Sequence, residues 1–307
     1  MTRDAVTVII PTRHRPSFLT TTVRSIQTAV SETDRKQGPR VRILVCDDAP
    51  ESDDTRAAAA ALGVDYARVP EHDGRQDPGA AIVKGVSLVD TRYQAIFGDD
   101  DIMLPQHIDL AWKKLQSGHQ VVSSSFHVTD EDLNPMSEVI LRPAVAGDLV
   151  AGHSLLNDGS FVEHDLVKDL EWDVSLEGQM LLPIWTRLSL TGHSFGAVDR
   201  PTWLYRRHDA NISNNALSEH DTALRTRARG LLQQMSLDLL GYIPPSPHSS
   251  YLAEQEVIAR EVEDNRRRHE ARRPPHGSLR YRVRNKAARV MFDGNRRLND
   301  AARWVAP

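Results

Sequence analysis

Along the first hundred residues, short continuous apolar runs alternate with longer segments whose apolar positions recur every three or four residues. Residues 5–10 form a β-branched run ending at Pro11, as expected of a strand buried on both faces. Residues 17–30 place Phe18, Val23, Ile26 and Val30 at helical spacing. The pattern then repeats: a strand at 41–46 closed by Asp47 and Asp48, an alanine-rich helix at 53–62, a short strand at 64–69, a helix at 78–89 and a strand at 93–97. This alternation predicts an α/β fold built on a doubly wound parallel sheet. In open sheets of this kind ligands bind outside the carboxyl ends of the strands, which collects Thr12, Arg13, Asp48 and Asp99 to Asp101 around one crevice.

Further along, the spacing predicts a helix at 108–115, a strand at 120–128 with a serine-rich centre, and a hairpin tip at 130–135. A helix is expected at 179–190 despite Pro183, and a final strand at 197–206. Beyond it the character changes to an amphipathic helix at 222–240, a proline-rich breaker at 244–247 and a highly charged helix at 254–273. The division expected is a catalytic domain at 1–215 and a helical, basic extension at 216–307.

Composition modifies this picture in two ways. The net charge of −4 hides an asymmetry, because residues 266–307 carry about +10 and leave the remainder clearly acidic. Within 266–303, Arg280, Arg282, Arg284, Lys286 and Arg289 alternate with Tyr281, Val283, Val290, Met291 and Phe292. That segment reads as a surface anchor for an anionic membrane, or as a solvated helix that packs on the domain or mediates self-association as a homo-oligomer. Nucleic acid is the weakest partner, since stacking motifs are missing. The single cysteine, Cys46, excludes an internal disulfide and lies in an apolar run, as a core residue would. Without a long apolar stretch, the expected location is cytoplasmic, with peripheral contact at the inner face of the membrane through the basic segment.

The chemistry concentrates in Gly98-Asp99-Asp100-Asp101, which follows the strand at 93–97. Adjacent carboxylates at the end of a buried strand need compensation from water, basic side chains or a metal ion. Hard oxygen donors favour Mg²⁺ or Mn²⁺, ions that bridge to nucleotide phosphates, whereas the simpler reading is a solvated turn capping the next helix.

Four fragments in order carry a resemblance: Val6 to Thr12, Leu44 to Pro50 with Asp53 to Thr55, Ala95 to Asp101 with Pro105, and Trp203 to His208 with Asn211 and Ser213. Together they resemble the family 2 glycosyltransferases over roughly the first two thirds of the chain. The resemblance implies a GT-A fold, a Rossmann-like mixed sheet flanked by helices. It also implies inverting transfer from a nucleotide diphosphate sugar, UDP-linked by preference, to a hydroxyl of a glycan, lipid-linked or small-molecule acceptor. Mn²⁺ or Mg²⁺ would neutralise the leaving diphosphate. By this resemblance Asp100 is the principal metal ligand and Asp101 assists; His208, which follows the last strand beside Arg206 and Arg207 where charge could converge, is read as an additional ligand or phosphate contact. Asp99 lies near the ribose, Pro11, Thr12 and Arg13 line base and ribose, Asp48 accepts from a base N–H, and Arg75 pairs with phosphate. Glu177 in Leu176-Glu177-Gly178-Gln179 is the implied catalytic base, with Glu163, Asp165 and Asp173 as alternatives. The chain departs from the family at Gly98 and Gly178, where acidic residues are usual. A nucleotidyltransferase and a non-catalytic nucleotide-binding protein on the same scaffold are the competing readings.

Overall fold

The computed structural model describes residues 5–49, 52–69, 78–153, 158–209, 211 and 219–247. Arg75, Ser213, the segment 254–273 and the basic segment 266–303 lie outside the described residues. The alternating runs become a parallel half-sheet. Strand β1 (Ala5–Thr12) pairs with β2 (Arg40–Asp47) on one side and β4 (Tyr93–Ile96) on the other, and β2 pairs with β3 (Asp65–Arg68). Period-two alternation explains why the β1 run is apolar throughout. Val6, Val8 and Ile10 pack against Leu19, Val23 and Ile26 of α1 (Pro16–Arg35), while Ile9 faces α3 (Pro78–Ser87) through Ala81 and Ile82. Helix α2 (Asp54–Leu62) lies beside α1 and ends at Gly63, which takes the left-handed conformation of a helix C-cap. Gly85 lets α3 press on the sheet, since a Cβ there would overlap Ile9 Cγ2 and stand 3.1 Å from Cys46 Sγ. Cys46 is a core residue, fully buried, and burial pushes its thiol up to about 12.

The second half of the sheet is mixed. Strand β8 (Phe161–Glu163) runs antiparallel between β4 and β6 (Val121–Thr129), β6 runs parallel to β9 (Phe195–Arg206), and β5 (Ile102–Met103) pairs antiparallel with β9. The order is β3-β2-β1-β4-β8-β6-β9-β5, with β7 (Pro135–Val139) folded back on β6 as the hairpin expected at 130–135. The serine-rich centre of β6 sits at a register shift opposite β9. There Ser125 Oγ donates to the Val198 carbonyl at 2.7 Å, and the Ser124 carbonyl accepts from buried Trp203 Nε1 at 3.0 Å. The Ser125 hydroxyl and the Trp203 indole satisfy backbone groups that the irregular pairing frees.

Helix α4 (His107–Gln116) packs against α1, β6 and β9, and α5 (Ala146–Val150) against α6 (Leu181–Leu190). Helix α6 begins two residues later than the spacing predicts, because Val174–Gln179 is a 3₁₀ segment with Glu177 at φ +49°. Pro183 therefore falls in the first turn of α6, where its missing N–H breaks no helical bond. Helix α7 (Glu219–Leu240) crosses α5, α6 and the 3₁₀ segment, burying Ala228 and Leu232 in the same apolar clusters. Among the described residues no helix is long and apolar enough to cross a membrane.

Candidate functional site

The acid loop leaves β4 at the carboxyl rim of the parallel strands, tied down by the Phe97 amide donating to the Ile9 carbonyl at 2.9 Å. Its three carboxylates are 5 %, 9 % and 1 % exposed at Asp99, Asp100 and Asp101, so this is not a solvated turn. Helix α1 holds the loop from beneath with two buried hydroxyls. Thr22 Oγ1 lies 2.8 Å from the carbonyls of both Asp99 and Asp101, and Ser25 Oγ accepts the Met103 amide at 3.0 Å while donating to the Thr22 carbonyl at 2.7 Å.

Compensating groups arrive from two distant parts of the chain. Thr12 Oγ1 at the end of β1 donates to Asp99 Oδ2 at 2.6 Å. Arg15, one residue before α1, places Nη1 at 3.3 Å from Asp99 Oδ1 and 3.0 Å from Asp100 Oδ2. The pairing of β5 with β9 brings the end of β9 alongside the loop, so that the Arg206 amide donates to Asp101 Oδ1 at 3.0 Å and His208 Nε2 sits 2.9 Å from Asp100 Oδ2. Phe18 stacks on the His208 imidazole at 4.6 Å, and the Arg206 guanidinium lies 5.2 Å from the same phenyl ring. Buried Asn211 closes the turn after β9, receiving the His208 amide and donating to the Arg206 carbonyl at 2.9 Å.

A fourth carboxylate, Asp158, enters with β8. Because β8 is antiparallel to β4, its first residues meet the end of β4. Gly159, at φ +78°, donates its amide to the Ile96 carbonyl at 2.7 Å. Burial and mutual repulsion then govern protonation. Burial, with the charge of Asp100, raises Asp99 to about 6; burial, with Asp100 and Asp99, raises Asp158 to about 7. Burial also holds Asp101 well above the ordinary carboxylate value and lowers the Arg206 guanidinium. Asp100 repels the neighbouring carboxylates in this buried space, and an incoming cation would relieve that repulsion.

Of the residues predicted from sequence, Thr12, Asp99, Asp100, Asp101 and His208 are brought into one contact network. Arg13 and Asp48 border it as an ion pair at 3.4 Å, with the Asp48 amide donating to the Thr12 carbonyl at 2.9 Å. Pro11 stands opposite Cys46 in β1, inside the sheet. Glu177 is not brought to the acid loop by any contact among the described residues. Its carboxylate pairs with His220 of α7 at 3.0 Å, from a backbone conformation costly for a residue with a side chain. Glu163 pairs with Tyr93, the first residue of β4, and so lies at the opposite rim, where it meets Arg92. Asp165 pairs with exposed Lys168, and Asp173 caps the 3₁₀ segment through the Ser175 amide. None of these alternatives joins the cluster.

Sequence reasoning missed Arg15, Thr22, Phe18 and Asp158. The first three lie within 10 residues of the β1 motif, where the basic Arg15 beside α1 and the polar Thr22 among its apolar positions were the available signal, while Phe18 read only as a core residue. Asp158-Gly159 offered only a turn dipeptide, and nothing local ties it to a loop some 60 residues earlier. Among the described residues no group of three or more His, Cys, Asp and Glu side chains is already arranged to hold a metal ion.

Residues 7–161 match the profile of Glycosyl transferase family 2. A comparison with curated proteins gives no match. Among solved structures the chain is similar to S. aureus TarS, residues 1–349, in complex with UDP, at a TM-score of 0.55 and 10 % identity, covering 77 % of this chain and 70 % of TarS. It is likewise similar to TarS in complex with UDP-GlcNAc, at 0.54 and 9 %, covering 77 % and 71 %. Glucosyl-3-phosphoglycerate synthase from Mycobacterium tuberculosis, in complex with Mn²⁺, UDP-glucose and phosphoglyceric acid, aligns at 0.51 and 15 %, covering 74 % and 80 %. These likenesses place the mixed sheet and its flanking helices in the GT-A architecture.

Proposed function

Because the chain belongs to Glycosyl transferase family 2 and is a glycosyltransferase, we propose that it moves a sugar from a nucleotide diphosphate, with UDP as the preferred carrier, to an acceptor hydroxyl with inversion and with help from a divalent cation. The observation that carries this reading is the buried acid loop at the carboxyl rim of β1 and β4, flanked by Thr12, Arg13 and Asp48 at the ends of β1 and β2. Thr12, Arg13 and Asp48 form the wall for base and ribose, with the Asp48 carboxylate accepting from the base. The complexes of the two fold neighbours with UDP support testing uridine first.

The residues present fit a divalent cation. Asp101 Oδ2 is buried without a hydrogen-bond partner, and the donor set is hard carboxylate oxygen. Asp100 and Asp101 would hold the ion, which when bound offsets the charge that builds on the departing diphosphate. Arg15 and His208 hold the Asp100 side chain from the other side and fix its rotamer. Phe18 orients the His208 ring, and Thr22 fixes the loop backbone. A nucleotidyltransferase fits less well, because the loop after β1, Arg13-His14-Arg15-Pro16, carries no glycine to wrap a triphosphate.

Calorimetric titration of UDP, GDP and dTDP into the full chain, with Mn²⁺ or with chelator, tests the reading. We expect one diphosphate, UDP, to bind more tightly with Mn²⁺, and Asp100→Ala to abolish the metal-dependent part. Absence of binding by all three nucleotides in folded protein would overturn it.

A further inference from the structure

Position 98 marks a point surrounded by carboxylate oxygens from three residues. A side chain there would begin 3.2 Å from Asp100 Oδ1, 3.2 Å from Asp101 Oδ2 and 3.5 Å from Asp158 Oδ2. With glycine the space is left open. Two of these side chains have no other use for what they aim into it. Asp101 is 1 % exposed and its Oδ2 has no partner, while Asp158 makes no hydrogen bond or ion pair among the described residues. The basic groups of the cluster act elsewhere. Arg15 and His208 hold Asp100 through Oδ2, the oxygen not aimed at the opening, and the Arg206 amide takes Asp101 Oδ1.

We propose that Asp158 is a ligand of the divalent cation, completing with Asp100 and Asp101 a three-carboxylate cradle whose open floor is Gly98. The proposal deepens the reading of the chain as a cation-assisted transferase and rests on it. A water or a sugar hydroxyl has protons for only one or two of the three oxygens, whereas one divalent ion can meet all three. The three oxygens converge on the space in front of Gly98, and a divalent ion there would draw them together against their mutual repulsion. The backbone is built to present Asp158. Gly159 is locked to the end of β4, and a Cβ on it would stand 3.0 Å from the buried His107 ring. Asp158 therefore reaches the opening from the turn that leads into β8.

The test is Mn²⁺ titration of the full chain followed by the electron paramagnetic resonance signal of free Mn²⁺, with and without UDP, alongside calorimetry of UDP in chelator. Wild type is compared with Asp158→Asn, Gly98→Ala and the distant surface variant Glu138→Gln, each checked by circular dichroism. Removing one ligand should weaken Mn²⁺ about tenfold or more, in line with the effect of losing even outer partners of metal ligands. Gly98→Ala should weaken it as well by filling the opening. Both should leave metal-free UDP binding within about twofold, and Glu138→Gln should change neither. Mn²⁺ affinity in folded Asp158→Asn equal to wild type would overturn the role of Asp158 while leaving the transferase reading intact. Failure of wild type to bind Mn²⁺ with or without UDP would overturn the cradle, and failure to bind any nucleotide would overturn the transferase reading itself.

Discussion

Replacing Thr22 by valine removes the hydroxyl that joins α1 to the acid loop while keeping the branched shape of the side chain. Thr22 is fully buried, and its Oγ1 is 2.8 Å from two carbonyls, those of Asp99 and Asp101. A hydroxyl has one proton, so it serves the two acceptors in turn, and both stand in the interior away from water. Valine leaves those carbonyls short of a donor, a loss of about 1–3 kcal/mol in unfolding free energy. Thr28→Val on the same helix is the matched control. Its hydroxyl only bonds back to the Arg24 carbonyl at an exposed position, so we expect a change within about 0.5 kcal/mol. The loop also carries the carboxylates, and a shift of about 1 Å in a reacting constellation can lower rate a hundredfold. Urea unfolding of the two variants, together with Mn²⁺-dependent UDP calorimetry, measures both consequences. Equal stability loss in Thr22→Val and Thr28→Val, with UDP affinity unchanged in both, would refute the argument that this hydroxyl holds the loop.

Protonation of the cluster makes a second prediction. Folding raises Asp158 to about 7 and Asp99 to about 6, above their unfolded values, so the folded chain binds more protons across this range. Their stabilising contribution is present below about pH 4 and is lost as pH rises through 6 to 7. In chelator, Asp158→Asn should therefore gain stability over wild type between pH 5 and pH 8. We expect about 1–2 kcal/mol after allowing for partial exposure, and a difference independent of pH in urea midpoints would sink this account. In the core, Gly85→Ala should cost about 1–3 kcal/mol in thermal or urea unfolding, because the added methyl has no room between α3 and Ile9. A midpoint equal to wild type would show that α3 can lift away freely.

The sequence by itself determined the first four strands and the helices between them, because strands buried on both faces must be continuous apolar runs and amphipathic helices must repeat every three to four residues. It also determined that the acid loop ends a buried strand, which made Asp99, Asp100 and Asp101 visible together. The late strand that carries Arg206 and His208 was legible from composition, though not that its pairing with β5 delivers them to Asp100 and Asp101. Strands β5 and β8 are two and three residues long, too short to show a period, and they exist because of their neighbours. The antiparallel sense of β8 brings Asp158 beside Gly98 and carries Glu163 to the far rim. The position of Glu177 against α7 is likewise a product of packing, since the 3₁₀ segment that presents it is held between α3, α6 and α7. Local periodicity thus wrote the scaffold, while the charges that meet at its rim are joined by contacts spanning about 60 to 108 residues, and only the folded chain closes loops of that length.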